Sequence, residues 1–234
     1  QERVGFIGLG SVGISSLRLM LKCLPHPKEI TLCDVYTKLS FLEKIQQELV
    51  SDLGFRGVVR IVASQAQVPD EIYEATLIIG ATNVPDVLDI TQLKPGTLIV
   101  DDSAPHCFGS KLAIERFQAQ EDILFTEGGV LRSPYPITRL RYLPRYLEKI
   151  MSAAEIEDFS KGNPFNIMGC VFSSLLSSCF ENLKPTVGVF DWRTSVEHYE
   201  VLEQLEFQAA DLHCGDYRLP EESIRNFRQR FGNS

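Results

Sequence analysis

The amino-acid sequence predicts an α/β fold, a doubly wound parallel sheet that is followed by a C-terminal helical cap. Up to about residue 130, short apolar runs alternate with segments whose apolar residues recur at helical spacing. Such alternation is typical of parallel strands joined by crossover helices. A glycine-rich turn between Gly8 and Gly13, at the first strand–helix junction, agrees with this architecture.

The first half of the predicted sheet comes from the N-terminal 62 residues. Its strands are short and apolar, as expected of strands that are buried on both faces. Pro25 and Pro27 end the first helix, and Gly54 follows the second as a C-cap glycine does. The predicted elements are a strand over 3–8, a helix over 11–24, a strand over 29–33, a helix over 37–53 and a strand over 58–62.

The second half of the sheet is predicted from three further apolar runs. A Lys94-Pro95-Gly96 turn separates the first two of them. A segment of helical periodicity precedes the third, which lies at the edge of the sheet. The predicted elements are strands over 75–80 and 97–100, a helix over 110–120 and a strand over 123–125.

The amino-acid pattern of the chain changes at Val130. Between Val130 and Ile150, arginine and lysine are interleaved with tyrosine and three prolines, which predicts a linker or an irregular loop. Helices are expected beyond it, over 163–182, 195–214 and 221–231. We therefore divide the chain into a nucleotide-binding domain over 1–130 and a linker with a helical region over 131–234.

Composition excludes several classes of protein. The 234 residues carry a net charge of −8, which argues against general nucleic-acid binding because phosphate contacts need a basic face. No run reaches the roughly 18 to 20 apolar residues of a membrane span, and no signal sequence is recognised. The six cysteines form no CxxC pair and are expected to be reduced, so a cytoplasmic protein is predicted.

The turn Gly8-Leu9-Gly10-Ser11-Val12-Gly13 has the GxGxxG pattern between a strand and a helix. Gly8 permits the tight turn, Gly10 lets backbone amides approach a pyrophosphate, and Gly13 allows close packing of helix on strand. The helix that begins here directs its N–H groups and positive dipole end at the phosphates. We predict a Rossmann domain that binds a nicotinamide dinucleotide through Gly8, Gly10, Ser11, Val12 and Gly13.

The second strand ends at Asp34, about 20 residues beyond the glycine turn. An acidic side chain at this position accepts hydrogen bonds from the adenosine ribose hydroxyls, which favours NADH over NADPH as the NAD(P)H cofactor. The nearby Lys38 leaves room for a 2′-phosphate. A helix-capping or solvated aspartate is the alternative interpretation of Asp34.

Two loops at the carboxyl edge of the sheet are further candidates. Ala81, Thr82 and Asn83 follow the fourth strand and are expected beside the nicotinamide ribose, with ordinary turn chemistry as the alternative. Residues 101–106, after the fifth strand, are expected to line the reaction cleft without an assigned role. Three histidines are open acid–base candidates, and since no pair has metal-ligand spacing, no metal is predicted. They are His106, His198 and His213.

Several segments, taken in order, carry a resemblance to a known family. They are VGFIGLGSVG, GATNVPDV, LKPGTLIVDDSAP, EGGV, IMSAAE and the stretch from Met168-Gly169-Cys170 to Phe180-Glu181-Asn182. Together they span residues 3 to about 215 and resemble the long-chain acyl-[acyl-carrier-protein] reductases of cyanobacteria. That family carries an N-terminal helical domain, whereas this chain begins at the Rossmann strand.

The resemblance implies a chemistry and a nucleophile. The family uses NADPH to reduce acyl thioesters to fatty aldehydes through an acyl group on a cysteine, and Cys170 matches that position. Cysteine suits this step because it is strongly nucleophilic and forms an exchangeable thioester. The residues alone leave another interpretation open, because a cysteine among Ile167, Met168 and Val171 also packs as a small apolar side chain. Cys179 is expected in the core.

The sequence therefore predicts a nicotinamide-dependent reductase that converts an acyl thioester, on acyl carrier protein or CoA, to an aldehyde. A direct carbonyl or imine dehydrogenase and a non-catalytic NAD(H)-binding module of a larger protein remain open. The basic segment between Arg132 and Lys149 is a candidate contact for an acidic carrier, unless it pairs with local carboxylates. A homo-oligomer or an additional N-terminal domain is compatible with this prediction.

Overall fold

The computed structural model of the chain describes residues 2–138, 142–152, 154–155 and 162–232. Its centre is a six-stranded parallel sheet in the order β3-β2-β1-β4-β5-β6, which confirms the predicted α/β fold with a doubly wound parallel sheet. The strands are β1 (Arg3–Ile7), β2 (Glu29–Asp34), β3 (Val58–Ala63), β4 (Leu77–Gly80), β5 (Thr97–Asp101) and β6 (Ile123–Glu127).

Three helices cover the sheet. They are α1 (Ser11–Cys23), α2 (Leu39–Ser51) and α3 (Ser110–Gln120). On one face α1 and α2 bury an apolar cluster against β1 and β2 that includes Leu17, Leu32 and Leu42. On the other face α3 buries a second cluster, which includes Ile99 and Phe117. Burial of both faces explains why the central strands are continuous apolar runs.

The strand order reverses at β1, which lies between β2 and β4. In an open parallel sheet, ligands bind outside the carboxyl ends of the strands at such a reversal. The Gly8 to Gly13 turn leaves β1 at this end of the sheet, and the loops after β2 and β4 flank it. The topology thus brings the predicted cofactor residues to one crevice.

Beyond β6 the chain forms two small antiparallel sheets. In the first, β7 (Val130–Arg132) pairs with β8 (Asn166–Met168) and β9 (Gln208–Ala209). The second is a hairpin of β10 (His213–Cys214) and β11 (Tyr217–Arg218). Four further helices are described from end to end, α4 (Arg145–Ile150), α5 (Gly169–Cys179), α6 (Trp192–Gln204) and α7 (Glu221–Phe231). These helices confirm the expected helical C-terminal part, although their bounds differ from prediction.

Three predictions for this part of the chain are wrong. The predicted linker over 130–150 contains β7 and α4, while the predicted helices over 163–182 and 195–214 are shorter and are interrupted by strands. Strand pairing overrides helix periodicity at both places. Met168 is extended, and the Gly169 N–H donates to the Gly129 carbonyl at 2.7 Å. Glu206 ends α6 in the left-handed conformation, with φ of 62°, and Gln208 then pairs with β7.

The C-terminal helices pack in two places. Helix α6 contacts α1 and shares with α5 a small apolar cluster around Leu176 and Val201. Helix α7 instead joins the main core through Phe227, which is only 5% exposed. The division near residue 130 stays a prediction. In the described ranges no helix has the length and apolar character that crossing a membrane requires.

Candidate dinucleotide cleft and cysteine helix

At two positions of the turn, Gly8 and Gly13, the neighbouring backbone leaves no space for a side chain. Gly8 has φ of 86°, and a Cβ on it would lie 2.5 Å from the Ala81 carbonyl oxygen. A Cβ on Gly13 would overlap the Gly8 carbonyl oxygen. These two positions require glycine whether or not a ligand binds, because the backbones of β1, α1 and the loop after β4 meet here.

Gly10 differs from these two glycines. A Cβ on Gly10 would meet no described atom within 4 Å, and its φ of −76° is open to any residue. Gly10 precedes α1, whose first turn has no acidic residue and no capping hydrogen bond from a described side chain. Ser11 and Val12 are exposed there. The N–H groups in the first turn of α1 and the missing Cβ of Gly10 therefore suit a pyrophosphate that approaches the backbone closely.

Asp34 braces the glycine turn. Its Oδ2 accepts hydrogen bonds from the Leu9 N–H and from Lys38 Nζ, each at 2.8 Å, and its Oδ1 accepts from the Val35 N–H at 2.8 Å. A carboxylate offers about four acceptor sites, so capacity for a ribose hydroxyl remains. Because Lys38 lies against the same carboxylate, a cation is also present for a 2′-phosphate. The preference for NADH stays a prediction.

The loop after β4 closes the same crevice. The Ala81 N–H donates to the Ile7 carbonyl at 2.8 Å, and the Thr82 N–H donates to Ser103 Oγ at 3.0 Å. Gly8, Asp34 and Thr82 line one small cavity of about 50 Å³. Asn83 is exposed at the edge of the loop. The structure therefore brings the sequence-predicted cofactor residues to one crevice.

Cys170 lies at the start of α5, as the second residue of the helix. The Gly169 N–H binds the Gly129 carbonyl just beyond β6, and a Cβ on Gly169 would lie 2.8 Å from that oxygen. Gly129 in turn packs on Asp102, which follows β5. The cysteine helix is thus joined to the carboxyl edge of the sheet.

Cys170 is exposed, so the alternative in which it packs in the core is wrong. No described side chain caps α5, and the N–H groups of a first helical turn have no acceptor within the helix. They favour negative charge on a neighbouring atom. The predicted helix placed Cys170 about two turns from its start, whereas β8 occupies that stretch and leaves the cysteine in the first turn.

A cavity of about 570 Å³ lies beside this helix. Met168 and Val171, which flank the Gly169-Cys170 pair, line it together with apolar residues that include Val130 and Ile167. Its polar wall includes Glu127 and His213. Charged side chains of Asp211, Asp216 and Arg218 form another part of the wall, so the cavity has the size and the mixed lining of a site for a small organic ligand.

Other residues that were predicted from the sequence stabilise the fold or lie away from the cofactor crevice. Cys179 is exposed, so its predicted burial in the core is wrong. His198 is buried, and its Nε2 pairs with the Lys184 carbonyl at 2.9 Å, which makes it part of the packing of α6. In the basic segment, Arg132 pairs with Asp211 at 3.3 Å, whereas Tyr142 is 91% exposed. Arg139 and Arg141 lie outside the described residues.

A cluster at the ends of β5 and β6 brings together residues whose convergence was not predicted from the sequence. Asp101, His106 and Glu127 converge there with the His213-Cys214 pair of β10. A helix end was predicted at His213-Cys214, but the structure has a hairpin that turns at Gly215, with φ of 56°, and Asp216. A Gly-Asp pair between two short segments is typical of a hairpin turn, and it could have predicted this hairpin.

Alkaline pH is expected to lower the free energy of unfolding through Cys33. Burial, followed by the charges of Asp34 and Glu71, raises the pKa of this thiol from 9.0 to about 12. Above pH 9 the unfolded chain therefore loses the Cys33 proton while the folded chain keeps it. We expect stability present below pH 9 to fall by about 2 kcal/mol by about pH 10.5 and to fall further up to pH 12.

Urea unfolding at pH 8 and at about pH 10.5 measures this loss. Cys33→Ala is expected to lose less stability over that interval than the parent chain, and Cys23→Ala, at an exposed cysteine, is the matched control. Equal pH slopes for the parent and Cys33→Ala would contradict the prediction.

The chain matches no known protein-family model and no curated protein.

Proposed function

We propose that this protein is a nicotinamide-dependent reductase that converts an acyl thioester, carried by acyl carrier protein or CoA, to an aldehyde through an acyl group on Cys170. One observation supports it most. An exposed cysteine lies in the first turn of a helix that no described side chain caps, and this helix is bonded to the same sheet edge as the GxGxxG turn. The resemblance to the acyl-[acyl-carrier-protein] reductases points to the same residue.

The crevice at β1 suits the cofactor. Gly8, Gly10, Ser11, Val12 and Gly13 would hold the pyrophosphate, and Asp34 with Lys38 would meet the adenosine ribose. Ala81, Thr82 and Asn83 would border the nicotinamide ribose. When bound, the reduced dinucleotide supplies the hydride that converts the acyl group to an aldehyde.

Cys170 accepts the acyl group in this proposal. Its thiolate sulfur attacks the thioester carbonyl carbon and forms a new carbon–sulfur bond. The bond to the donor sulfur breaks, and the donor leaves as a thiol with the proton that Cys170 gave up. The first-turn N–H groups of α5 that follow Gly169 would stabilise the thiolate and the oxyanion that develops during the attack. Reduction returns Cys170 to its free form.

The cavity beside α5 would take the acyl chain. Its volume of about 570 Å³ has room for a hydrocarbon chain, which would lie along the apolar part of the wall formed by Val130, Ile167, Met168 and Val171. Arg145 and Lys149, with exposed Tyr142 and Tyr146 nearby, offer a basic and aromatic surface to an acidic carrier protein. Such a reaction belongs in the reducing cytoplasm, where Cys170 keeps its thiol.

Two measurements on the purified chain test the proposal. Titration with NADH and with NADPH is expected to show binding, and mass spectrometry after incubation with an acyl-CoA is expected to show one acyl adduct on Cys170. Dinucleotide binding with turnover but no adduct would favour the direct carbonyl dehydrogenase. Binding with neither adduct nor turnover would favour a dinucleotide-binding module, and absence of binding would refute all three functions.

A further inference from the structure

The cluster at the ends of β5 and β6 has an excess of hydrogen-bond acceptors. Asp101, whose side chain is fully buried, accepts from His106 Nδ1 and from the Cys107 N–H, each at 3.0 Å. A carboxylate that accepts from Nδ1 fixes the ring tautomer, so the lone pair of neutral His106 lies on Nε2. That lone pair faces Glu127 Oε1 at 3.4 Å.

Cys214 completes the cluster from β10. Its Sγ lies 3.9 Å from His106 Nε2, and the residue is only 3% exposed. The Cys214 thiol has a single hydrogen, and Glu127 Oε1 already accepts from the Gly215 N–H, so lone pairs of the imidazole nitrogen, the sulfur and the carboxylate still converge on one space. The second oxygen, Glu127 Oε2, faces His213 Nε2 at 3.7 Å, and His213 Nδ1 is already used by the Asp211 carbonyl. A positive ion among these atoms would satisfy them.

The spacing of the three ligand atoms fits such an ion. Tetrahedral zinc binds nitrogen and oxygen at about 2.0 Å and thiolate sulfur at about 2.3 Å, which places ligand atoms roughly 3.3 to 3.6 Å apart. The separations of 3.4 Å and 3.9 Å at His106 are close to these values, and all three atoms lie within 4.8 Å of one another. His213 is not among the three.

We propose that His106 Nε2, Cys214 Sγ and Glu127 bind a divalent transition-metal ion of the zinc type. Asp101 holds the far side of the His106 ring, which is the arrangement that orients metal-ligating histidines in proteins. The Gly215 N–H donates to Glu127 Oε1, the oxygen that faces His106, and so fixes the position of this carboxylate. Nitrogen, sulfur and oxygen donors together select zinc or cobalt over magnesium or calcium.

Three protein ligands leave one coordination position for another molecule. Glu127, His213 and Gly215 line the 570 Å³ cavity, so this position opens toward the space beside α5. A metal with an exchangeable position polarises a carbonyl oxygen that binds to it. The site would therefore act on a carbonyl-bearing ligand in the cavity. It rests on this cluster alone and does not depend on the proposed reductase function.

Cobalt binding to the full chain tests the site by its absorption spectrum. After removal of metals with a chelator, one equivalent of Co²⁺ is expected to produce the thiolate-to-cobalt charge-transfer band of a tetrahedral site. Zinc is expected to displace the cobalt and to raise the midpoint of thermal unfolding. No charge-transfer band in the parent chain would overturn the proposal.

Variants separate this site from adventitious binding. Cys214→Ser is expected to abolish the charge-transfer band, and Asp101→Asn to keep it with cobalt affinity lowered roughly 10- to 100-fold. Cys179→Ser, at an exposed cysteine of α5, is the control and should bind like the parent. A band that survives in Cys214→Ser would overturn the proposal. If circular dichroism shows that Cys214→Ser is unfolded, the cobalt affinity of Glu127→Gln, a variant on the cavity wall, is measured instead. Unchanged cobalt affinity in Glu127→Gln would also overturn the proposal.

Discussion

Alanine in place of Cys170 is expected to lower acyl-thioester reduction by roughly 10³-fold or more, because removal of a nucleophile eliminates the covalent route. Cys170 is exposed at the second position of α5, and its side chain has no buried packing to lose. The variant should therefore fold like the parent and bind the dinucleotide with unchanged affinity. Steady-state turnover of an acyl-CoA, with a cofactor titration on the same sample, measures both quantities.

Cys179→Ala provides the matched control for this prediction. Cys179 is exposed at the other end of the same helix, so its removal should leave turnover and adduct formation unchanged. A Cys170→Ala protein that retains most of the activity would exclude the acyl-cysteine route and favour direct hydride transfer to a carbonyl. Loss of activity together with loss of cofactor binding would point to a damaged fold.

The second large effect is expected at Gly10. In Gly10→Ala the new methyl group meets no described atom of the chain, so the free energy of unfolding should change by less than about 0.5 kcal/mol. The same methyl group would occupy the space that a pyrophosphate needs above the start of α1. We expect the dissociation constant for the dinucleotide to rise by roughly 10- to 100-fold, a loss of about 1.4 to 2.7 kcal/mol.

Gly13→Ala is the matched contrast. Its methyl group would overlap the Gly8 carbonyl oxygen, so the free chain itself should lose about 2 kcal/mol or more of stability. Calorimetric titration for affinity and urea unfolding for stability separate the two variants. Parent-like dinucleotide affinity in Gly10→Ala would contradict the close approach of a pyrophosphate to this turn.

The sequence predicted the regular elements well where one physical signal dominated. Helices α3 and α7 have the bounds expected from their apolar periodicity, and the six parallel strands follow the apolar runs. Asp34 at the end of β2 was likewise predictable, because the length of the first βαβ unit sets its place. The sequence did not predict that Asp34 accepts hydrogen bonds from both Leu9 and Lys38.

The C-terminal part was harder to predict because its strands are two or three residues long and pair with distant residues. Nothing local marks Val130 as a partner of Met168, since that pairing depends on the Gly129 carbonyl meeting the Gly169 N–H. The cluster around His106 was missed for the same reason. His106 and Cys214 are separated by 108 positions and meet only because β10 returns to β6.

The return of α7 to the sheet has a consequence for biosynthesis. Phe227 and Phe231 pack against the core beside Gly96, and Ser223 donates to Glu121 at 2.6 Å. Helix α3 covers one part of this face, and the part that Phe227 and Phe231 cover therefore stays exposed until α7 has been synthesised. During translation the nascent sheet exposes an apolar surface, which is the state that chaperones recognise. Premature termination before α7 would thus yield an aggregation-prone chain although every residue of the cofactor crevice is present.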